Sequence, residues 1–200
     1  ISEALIQNTI LIQFNLRGNS IGEVGVKAIS KALMQNETLA QLDLGYNSIK
    51  EVGAEAISEA LMQNTALAQL ELRGNRIGDV GTQAISKALI QNTTLIQLDL
   101  GDNRIGDVGT KTISEALSKN STLTGLNLGN NTIEDVGAQA ISEALVQNTT
   151  LIQVDLEDNG ISDSLMSKIG LQVKRNKEKQ ASFESVKASA KVLSILSQHQ

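Results

Sequence analysis

The segment Leu95-Ile96-Gln97-Leu98-Asp99-Leu100-Gly101-Asp102-Asn103-Arg104-Ile105 follows the pattern L-x-x-L-x-L-x-x-N-x-I. The same pattern recurs every 28 residues along most of the chain. Its copies begin at Leu11, Leu39, Leu67, Leu95, Leu123 and Leu151. A fixed period of about 20 to 50 residues is the signature of a repeat protein, in which each unit packs on its neighbours. We therefore expect the 200 residues to form one elongated solenoid rather than one or two globular domains.

Each copy contains a short stretch in which polar and apolar residues alternate, as in Gln97-Leu98-Asp99-Leu100. Alternation with a period of two predicts a β-strand with one buried face. Stacked repeats would align these strands in parallel. The asparagine after each strand, Asn103 in this copy, recurs at one position of the repeat. The pattern resembles the leucine-rich repeat, and that resemblance implies that this asparagine lies inside the turn, where its amide satisfies backbone groups.

A helix-like block follows each strand. In one copy Val80, Ala84, Ile85, Ala88 and Leu89 predict a single apolar stripe. An acidic residue opens most blocks and would complement the helix dipole, and a glycine two residues later predicts close packing against the neighbouring repeat. Each block ends at an asparagine, a residue that tolerates a left-handed helix cap. The acids, glycines and final asparagines are Glu23, Glu51, Asp79, Asp107 and Asp135; Gly25, Gly53, Gly81, Gly109 and Gly137; and Asn36, Asn64, Asn92, Asn120 and Asn148.

The full unit reads L-x-x-L-x-L-x-x-N-x-I-G-[DE]-x-G-x-x-A-I-[SA]-x-A-L-x-x-N-x-[ST]. It resembles the ribonuclease-inhibitor-type leucine-rich repeat, which also occurs in NOD-like receptors, the Ran GTPase-activating protein and bacterial effectors. The resemblance implies a right-handed α/β solenoid shaped as a horseshoe arc, with a parallel sheet on the concave side, helices on the convex side and a C-terminal capping helix. Ribonuclease inhibitor is rich in cysteine and aromatic residues, whereas this chain has no cysteine and 2% aromatic residues, which argues against ribonuclease binding.

The repeat domain is expected to span residues 1–178, and a capping helix residues 179–200. Because Ile1 aligns with Ile29, the chain opens inside the helical part of a repeat, and we expect it to be a fragment. After the sixth strand the pattern decays, and a basic run begins at Lys174. Apolar residues at helical spacing then predict a helix that covers the last repeat; an amphipathic helix for a membrane surface or a partner is the alternative. These residues are Phe183, Val186, Ala190, Leu193 and Leu196.

Composition excludes several classes of function. A net charge of −5 argues against a nucleic-acid partner, and no apolar run is long enough to span a membrane. His199 is the only histidine, so Ser-His-Asp triads and histidine metal sites are absent, and Arg73–Gly78 is a repeat turn rather than a phosphate-binding loop. We expect a non-enzymatic chain with no catalytic residue, cofactor or metal.

Four N-glycosylation sequons share one repeat position and are weak evidence for glycosylation: Asn36, Asn92, Asn120 and Asn148.

Function is then expected on the exposed strand positions and on the adjacent rim. Asp43, Glu71 and Asp99 would lie in adjacent strands about 4.8 Å apart, and Asp155 would extend this column beyond Asn127. Two charges at that spacing repel by roughly 1 kcal/mol in water, which should raise the average pKa of the carboxyl groups.

The rim adds varied side chains of the types that most often dominate binding energy, with Tyr46 and the arginines foremost. The alternative is that near-identical repeats carry similar surfaces because they were duplicated. The predicted partner-binding residues are Asp43, Tyr46, Glu71, Arg73, Arg76, Asp99, Asp102 and Asp155.

The leading hypothesis is a protein-interaction scaffold whose concave face binds a protein with a basic or mixed-charge surface. Such a chain could be a secreted bacterial effector acting on host proteins. The alternatives are a regulator of a small GTPase resembling the Ran GTPase-activating protein and a ligand-sensing module of a NOD-like receptor. We expect a cytoplasmic monomer, in the host cytoplasm if it is an effector, with neither nucleic acid nor membrane as partner.

Overall fold

The computed structural model describes the backbone of residues 2–197 and the side chains of residues 2–191. Strands of three residues alternate with helices. The elements are α1 (Ser2–Gln7), β1 (Gln13–Asn15), α2 (Gly22–Leu33), β2 (Gln41–Asp43), α3 (Lys50–Gln63), β3 (Gln69–Glu71), α4 (Gly78–Gln91), β4 (Gln97–Asp99), α5 (Asp107–Leu117), β5 (Gly125–Asn127), α6 (Asp135–Gln147), β6 (Gln153–Asp155) and α7 (Asp163–Ser197).

The strands form one six-stranded parallel sheet in sequence order. The register matches the period, so that Leu42 pairs with Leu70, and Leu70 with Leu98. Strands in a sheet lie about 4.8 Å apart, whereas packed helices lie about 8–10 Å apart, so the helical side must be longer and the sheet must line the inside of the arc. The predicted α/β solenoid is confirmed.

The core lies between the sheet and the helices. The inward strand leucines and the helix residues Ile85, Ala88 and Leu89 are fully buried. Val80, which was predicted in the same stripe, is 57% exposed, so that part of the prediction is wrong. At 3.6 residues per turn, Val80 lies about 140° from Ile85 around the helix and about 180° from Leu89.

The helix glycines allow close contact between repeats, as predicted. A Cβ added at Gly109 would lie 2.7 Å from Asp79 Oδ1 and 3.2 Å from Asp79 Cα. At Gly81 it would lie 2.9 Å from Ala54 Cβ. A side chain at these positions would force adjacent helices apart.

The acid at the start of a helix also serves the next repeat. Asp107 Oδ1 accepts the backbone N–H groups of Glu134 at 2.9 Å and Gly137 at 2.8 Å, at the start of the following helix. An acceptor at this place satisfies N–H groups that have no partner within their own helix. Sequence reasoning placed the acid at its own helix terminus and missed this bond between repeats.

The asparagines that follow the strands form the predicted ladder. Asn75 Nδ2 donates to the carbonyl oxygens of Leu44 and Leu72 at 2.9 and 2.8 Å, and Asn75 Oδ1 accepts the N–H of Asn47 at 2.8 Å. Asn75 is fully buried. The N–H of Asn75 in turn donates to Asn103 Oδ1 at 2.9 Å, so that each turn is joined to both of its neighbours.

The asparagines at the helix ends differ from the prediction of a left-handed cap. Asn92 is extended, with φ −72° and ψ 130°. This backbone turns the side chain inward, where Nδ2 donates to the Leu61 carbonyl and Oδ1 accepts the Leu95 N–H, both at 2.7 Å. The four sequon asparagines at this repeat position are 3–7% exposed and their amides are hydrogen-bonded, so the folded chain does not present them as glycosylation acceptors. A fifth sequon, which sequence reasoning missed, begins at the exposed Asn130.

The C-terminal helix α7 begins at Asp163, before the predicted cap. Its first half is the helix of the sixth repeat: Ile169 is 4% exposed, and the buried Asn176 donates to the carbonyls of Asn148 and Leu151, each at 2.9 Å. Residues 181–191 are exposed. The prediction that Phe183 and the apolar residues after it cover the last repeat is therefore wrong for the described side chains.

The physical reason is that the sixth repeat already has a helix of its own. Asn176 stands 28 residues after Asn148 and fills the same role, although Ser164 and Leu165 hide the pattern at the start of the helix. The side chains of Leu193 and Leu196, and all of His199, lie outside the described residues. One helix crosses residues 178 and 179, and the proposed domain boundary there stays a prediction.

Candidate protein-binding surface

The sheet places the predicted acidic residues in one column. Asp43 pairs with Glu71 in the next strand, and Glu71 pairs with Asp99. Asn127 follows, and Asp155 pairs with it in the last strand. The acidic column, as we call Asp43, Glu71 and Asp99, therefore runs across three adjacent strands, and Asp155 stands apart from it.

Two members of the column also hold their own turns together. Asp43 Oδ1 accepts the N–H of Gly45 at 2.8 Å, and Asp99 Oδ1 accepts the N–H of Gly101 at 2.7 Å. Asn127 makes the same bond to Gly129 at 2.8 Å. A short side chain that binds the backbone two residues later is a common turn motif. The alternation of Asp and Asn at this position is the sequence signal that could have predicted it.

Glu71 is different because it is one methylene longer. It makes no such turn bond among the described residues, and it lies between two other carboxylates. Burial raises the pKa of Glu71, repulsion from Asp99 and then Asp43 raises it further, and Arg17 opposes the shift. The electrostatic strain predicted for the column is thus centred on Glu71.

Two shallow depressions flank Glu71 on the concave face. One, of about 170 Å³, is lined by Leu98, Leu126 and the carboxylates of Asp99 and Asp155. It lies where Gly125 replaces the glutamine that the other strands carry. The other, of about 360 Å³, is lined by residues of β1 to β3. The concave face therefore offers apolar floor and negative charge together.

The rim beside the column holds Tyr46 on three sides. The Arg17 guanidinium lies 4.5 Å from the centre of the Tyr46 ring, and Arg73 Nε donates to Tyr46 Oη at 3.2 Å. The ring also covers Gly74, where an added Cβ would be 2.5 Å from Tyr46 Cδ1. The tyrosine is still 42% exposed. Sequence reasoning did not include Arg17 or Gly74 in the site, although both can be found one repeat away from Tyr46.

The backbone of Tyr46 is strained. Its φ of 54° is in the left-handed region. The residues at the same position of the other repeats have this conformation as well: Gly18, Gly74, Asp102, Asn130 and Asp158. An L-residue with a large side chain pays about 1–3 kcal/mol to stay there. The contacts of the ring with Arg17, Arg73 and Gly74 offset this cost, and they leave part of the side chain accessible to a partner.

Arg73 connects Tyr46 to the negative charges. The hydrogen bond to Tyr46 raises the pKa of Arg73, and the nearby carboxylates of Asp99 and Asp102 act in the same direction. Arg76, grouped with Tyr46 in the prediction, is exposed and makes no contact with Tyr46 among the described residues. The structure brings together Tyr46, Arg73 and Asp102 but leaves Arg76 outside.

Comparison with known families gives one decisive result. The model of the leucine-rich repeat family matches residues 7–30, 35–58, 63–86, 91–114, 119–142 and 147–169. The chain belongs to the leucine-rich repeat family. This confirms the resemblance drawn from the sequence, and one strand and one α-helix per 28 residues agrees with the ribonuclease-inhibitor-like type.

Solved leucine-rich repeat structures resemble this one along almost all of its length. Actin-binding site 2 of leiomodin-1 superposes with a TM-score of 0.69 and 21% identity, covering 94% of each chain. The C-terminal domain of tropomodulin from Caenorhabditis elegans superposes with a TM-score of 0.61 and 13% identity, covering 92% of this chain and 97% of that one. At these identities the likeness shows the fold alone. No curated protein matches the sequence.

Two features that would indicate other functions are absent from the described part of this leucine-rich repeat chain. No three His, Cys, Asp or Glu side chains there are grouped so that they could hold a metal ion. No helix there is long and apolar enough to cross a membrane. The acidic column and the group of Tyr46, Arg17, Arg73 and Gly74, which we call the Tyr46 cluster, remain as the most distinctive chemistry of the concave side.

Proposed function

We propose that this chain is a non-enzymatic protein-interaction module and that its concave face and rim bind another protein. One observation carries the proposal: Tyr46 is held exposed in a strained backbone conformation, between Arg17 and Arg73 and beside the acidic column. Strained residues persist where the surrounding structure fixes them, and they cluster at functional sites. Tyrosine and arginine are the residues most enriched among binding hot spots.

The partner is a protein with a basic or mixed-charge surface. Its cations would meet Asp43, Glu71 and Asp99, and an acidic or polar group would meet Arg17 and Arg73. Charge complementarity of this kind raises the association rate and the specificity more than the affinity, and salt weakens it. A cation beside Glu71 would also favour its ionised form, so binding should release protons at a pH near the raised pKa of Glu71.

More specific roles belong to the same proposal. The chain could act as a bacterial effector on host proteins in the host cytoplasm, as a regulator of a small GTPase, or as the sensing module of a NOD-like receptor. Acceleration of GTP hydrolysis by candidate small GTPases tests the second role. Actin belongs among the proteins to test, because the leiomodin-1 structure is described as an actin-binding site.

The test is a comparison of proteins captured from lysate by the wild type and by matched variants. Glu71→Gln with Asp99→Asn removes two charges and keeps the turn, because Asn127 caps its turn in the same way. Tyr46→Asn removes the ring and keeps the backbone, because Asn130 adopts the same conformation with φ 55°. Both variants should lose the partner, and the convex-face variant Lys31→Ala with Glu59→Ala should keep it.

Kinetics with a captured partner separate the two contributions. The double charge variant should associate more slowly and depend less on salt, whereas Tyr46→Asn should mainly dissociate faster, by a factor that corresponds to about 1–3 kcal/mol. If both concave variants capture the same proteins as the wild type, and the convex variant loses them, the assignment of the binding site to the concave face is wrong.

A further inference from the structure

The second half of α7 stands free of the solenoid. Every residue from 181 to 191 is exposed, and Phe183 and Val186 are 67% and 66% exposed on adjacent turns. An isolated helix of this length is marginal in water, because its nucleation is costly and it lacks tertiary packing. We call residues 181–197 the α7 extension. Among its described side chains, those of residues 181–191, Phe183 and Val186 form an apolar edge that the rest of the described chain does not cover.

The last 31 residues, which include the α7 extension, differ sharply in net charge from the rest of the molecule. Residues 170–200 have a net charge of +4, whereas residues 1–169 have a net charge of −9. Lysines are exposed on this part of α7, and two of them, Lys187 and Lys191, lie one helical turn apart. The extension itself has Lys187 and Lys191 against Glu184, a net charge of +1, and this pair of lysines complements the acidic column on the concave face.

The dimensions of the two surfaces also agree. The 17 residues of the α7 extension make a helix about 26 Å long at about 1.5 Å per residue. The six strands span about 24 Å at about 4.8 Å per interval. Because α7 is one uninterrupted helix anchored on α6, the extension cannot fold back onto its own sheet.

We infer that the α7 extension docks on the concave face of a second copy of this chain. Lys187 and Lys191 lie against Glu71 and Asp99 of that copy, and Phe183 occupies one of the depressions beside Glu71. The inference rests on the proposed function only in treating the concave face as a binding surface. It replaces the expected monomer with a salt-sensitive association in which the extension competes with an external partner.

The test uses the full chain in analytical ultracentrifugation over a range of protein concentrations. The average mass should rise above 21.3 kDa with concentration at low salt. The dissociation constant should rise about tenfold between 50 and 200 mM salt, because salt screens the attraction. Two variants block one surface each. The extension variant is Phe183→Ser with Lys187→Glu, and the concave variant is Glu71→Gln with Asp99→Asn; Lys111→Glu on the convex side is the control.

Mixing the two variants distinguishes this contact from its alternatives. Each variant alone should remain at 21.3 kDa, but an equimolar mixture should form a heterodimer, because one intact extension then meets one intact concave face. Association of the concave variant alone would mean that extensions pair with each other and would overturn the inference. A wild-type mass that stays constant with concentration would also overturn the inference. This holds whether or not the chain binds anionic vesicles.

The outcomes also separate this inference from the proposed function. A chain that ends at Gln180 keeps the acidic column and the Tyr46 cluster but has no extension. If this chain still captures a partner that the concave variant loses, the proposed function stands whatever the mass measurements show. The opposite outcome has two parts. The truncated chain and the concave variant both capture the same proteins as the wild type, while the extension variant and the concave variant no longer self-associate. In that case the inference stands and the proposed function fails.

Discussion

At the scale of single residues, buried amides hold this protein together. The amide of Asn75 completes backbone groups in its own repeat and in the preceding one, and its own N–H donates to Asn103 Oδ1 of the next repeat, with bonds of 2.8–2.9 Å. Each buried polar group left unpaired costs about 1–3 kcal/mol. The period predicted the place of this residue, and the resemblance to leucine-rich repeats predicted its role inside the turn.

Asn75→Ala should therefore lower the free energy of unfolding by roughly 2–4 kcal/mol, since it leaves the N–H groups of Asn47 and Ile49 without their acceptor. Chemical denaturation measures the loss. Gln91→Ala, at an exposed position on α4, is the matched control and should stay within about 0.5 kcal/mol of the wild type. An equal effect of both changes would contradict the role given to Asn75.

Glu71 predicts a dependence of stability on pH. Its pKa is raised in the folded state, so the folded chain binds the proton more tightly than the unfolded chain. The unfolding free energy should then fall as pH rises from the ordinary glutamate pKa of 4.5 through the raised pKa, because the ionised Glu71 is disfavoured in the fold. Glu71→Gln should melt higher than the wild type at neutral pH and lose this part of the pH profile. Glu59→Gln, on the convex side, should leave the profile unchanged.

At the scale of elements, spacing predicted the strands, their register and the helices, because those features repeat with the period. It failed where the outcome depends on contacts between repeats. The exposure of Val80, the extended backbone of Asn92 and the ring contact between Arg17 and Tyr46 all depend on side-chain direction or on the neighbouring unit. The start of α7 was missed because its first turn departs from the repeat.

Two helix glycines should respond to alanine with opposite signs. At Gly109 a Cβ would meet Asp79 at 2.7 Å, including the carboxylate that caps the same helix. At Gly170, inside α7, a Cβ would meet nothing within 4 Å. Gly109→Ala should destabilise the chain by about 1–3 kcal/mol, and Gly170→Ala should stabilise it by up to about 1 kcal/mol, through helix propensity. Thermal melts of both variants check this; a loss in both would show that Gly170 is constrained by a contact.

Removal of the α7 extension should leave the solenoid intact. The packed part of α7 ends near Gln180, whose amide still donates to the Thr150 carbonyl at 3.3 Å. A chain truncated after this residue should lose helical circular dichroism but keep its melting temperature. Asn176→Ala should lower the melting temperature, because that residue is buried and bonds to the last turn.

At the scale of the whole molecule, stability is a sum of similar contacts between neighbours. Each strand pairs with the strands on either side, and each helix packs on the next. In such solenoids stability follows from the repeats and their nearest-neighbour interfaces. The period therefore predicted the strands, the first six helices and their order, whereas the binding surface depends on the few positions where repeats differ, such as Tyr46 and Gly125.

Deletion of residues 64–91 should give a shorter folded chain. This segment is one period long, and Gln63 would then precede Asn92 as it now precedes Asn64. Circular dichroism should retain its shape, and the denaturant m-value should fall with the buried area. Deletion of residues 64–77, half a period, should abolish folding, because the remaining turn residues would lose their partners.

The asparagine bonds between adjoining turns have a consequence for the history of the chain. The N–H of Asn19 binds Asn47, that of Asn47 binds Asn75, and that of Asn75 binds Asn103, with the same geometry each time. Any repeat can therefore follow any other without leaving a donor or acceptor unmet. Unequal recombination between the repeats of a gene then yields proteins that differ in length by whole turns and still fold, while any other break is eliminated. The near-identity of the repeats raises the rate of such exchange, so that the concave surface can lengthen or shorten faster than its single residues change.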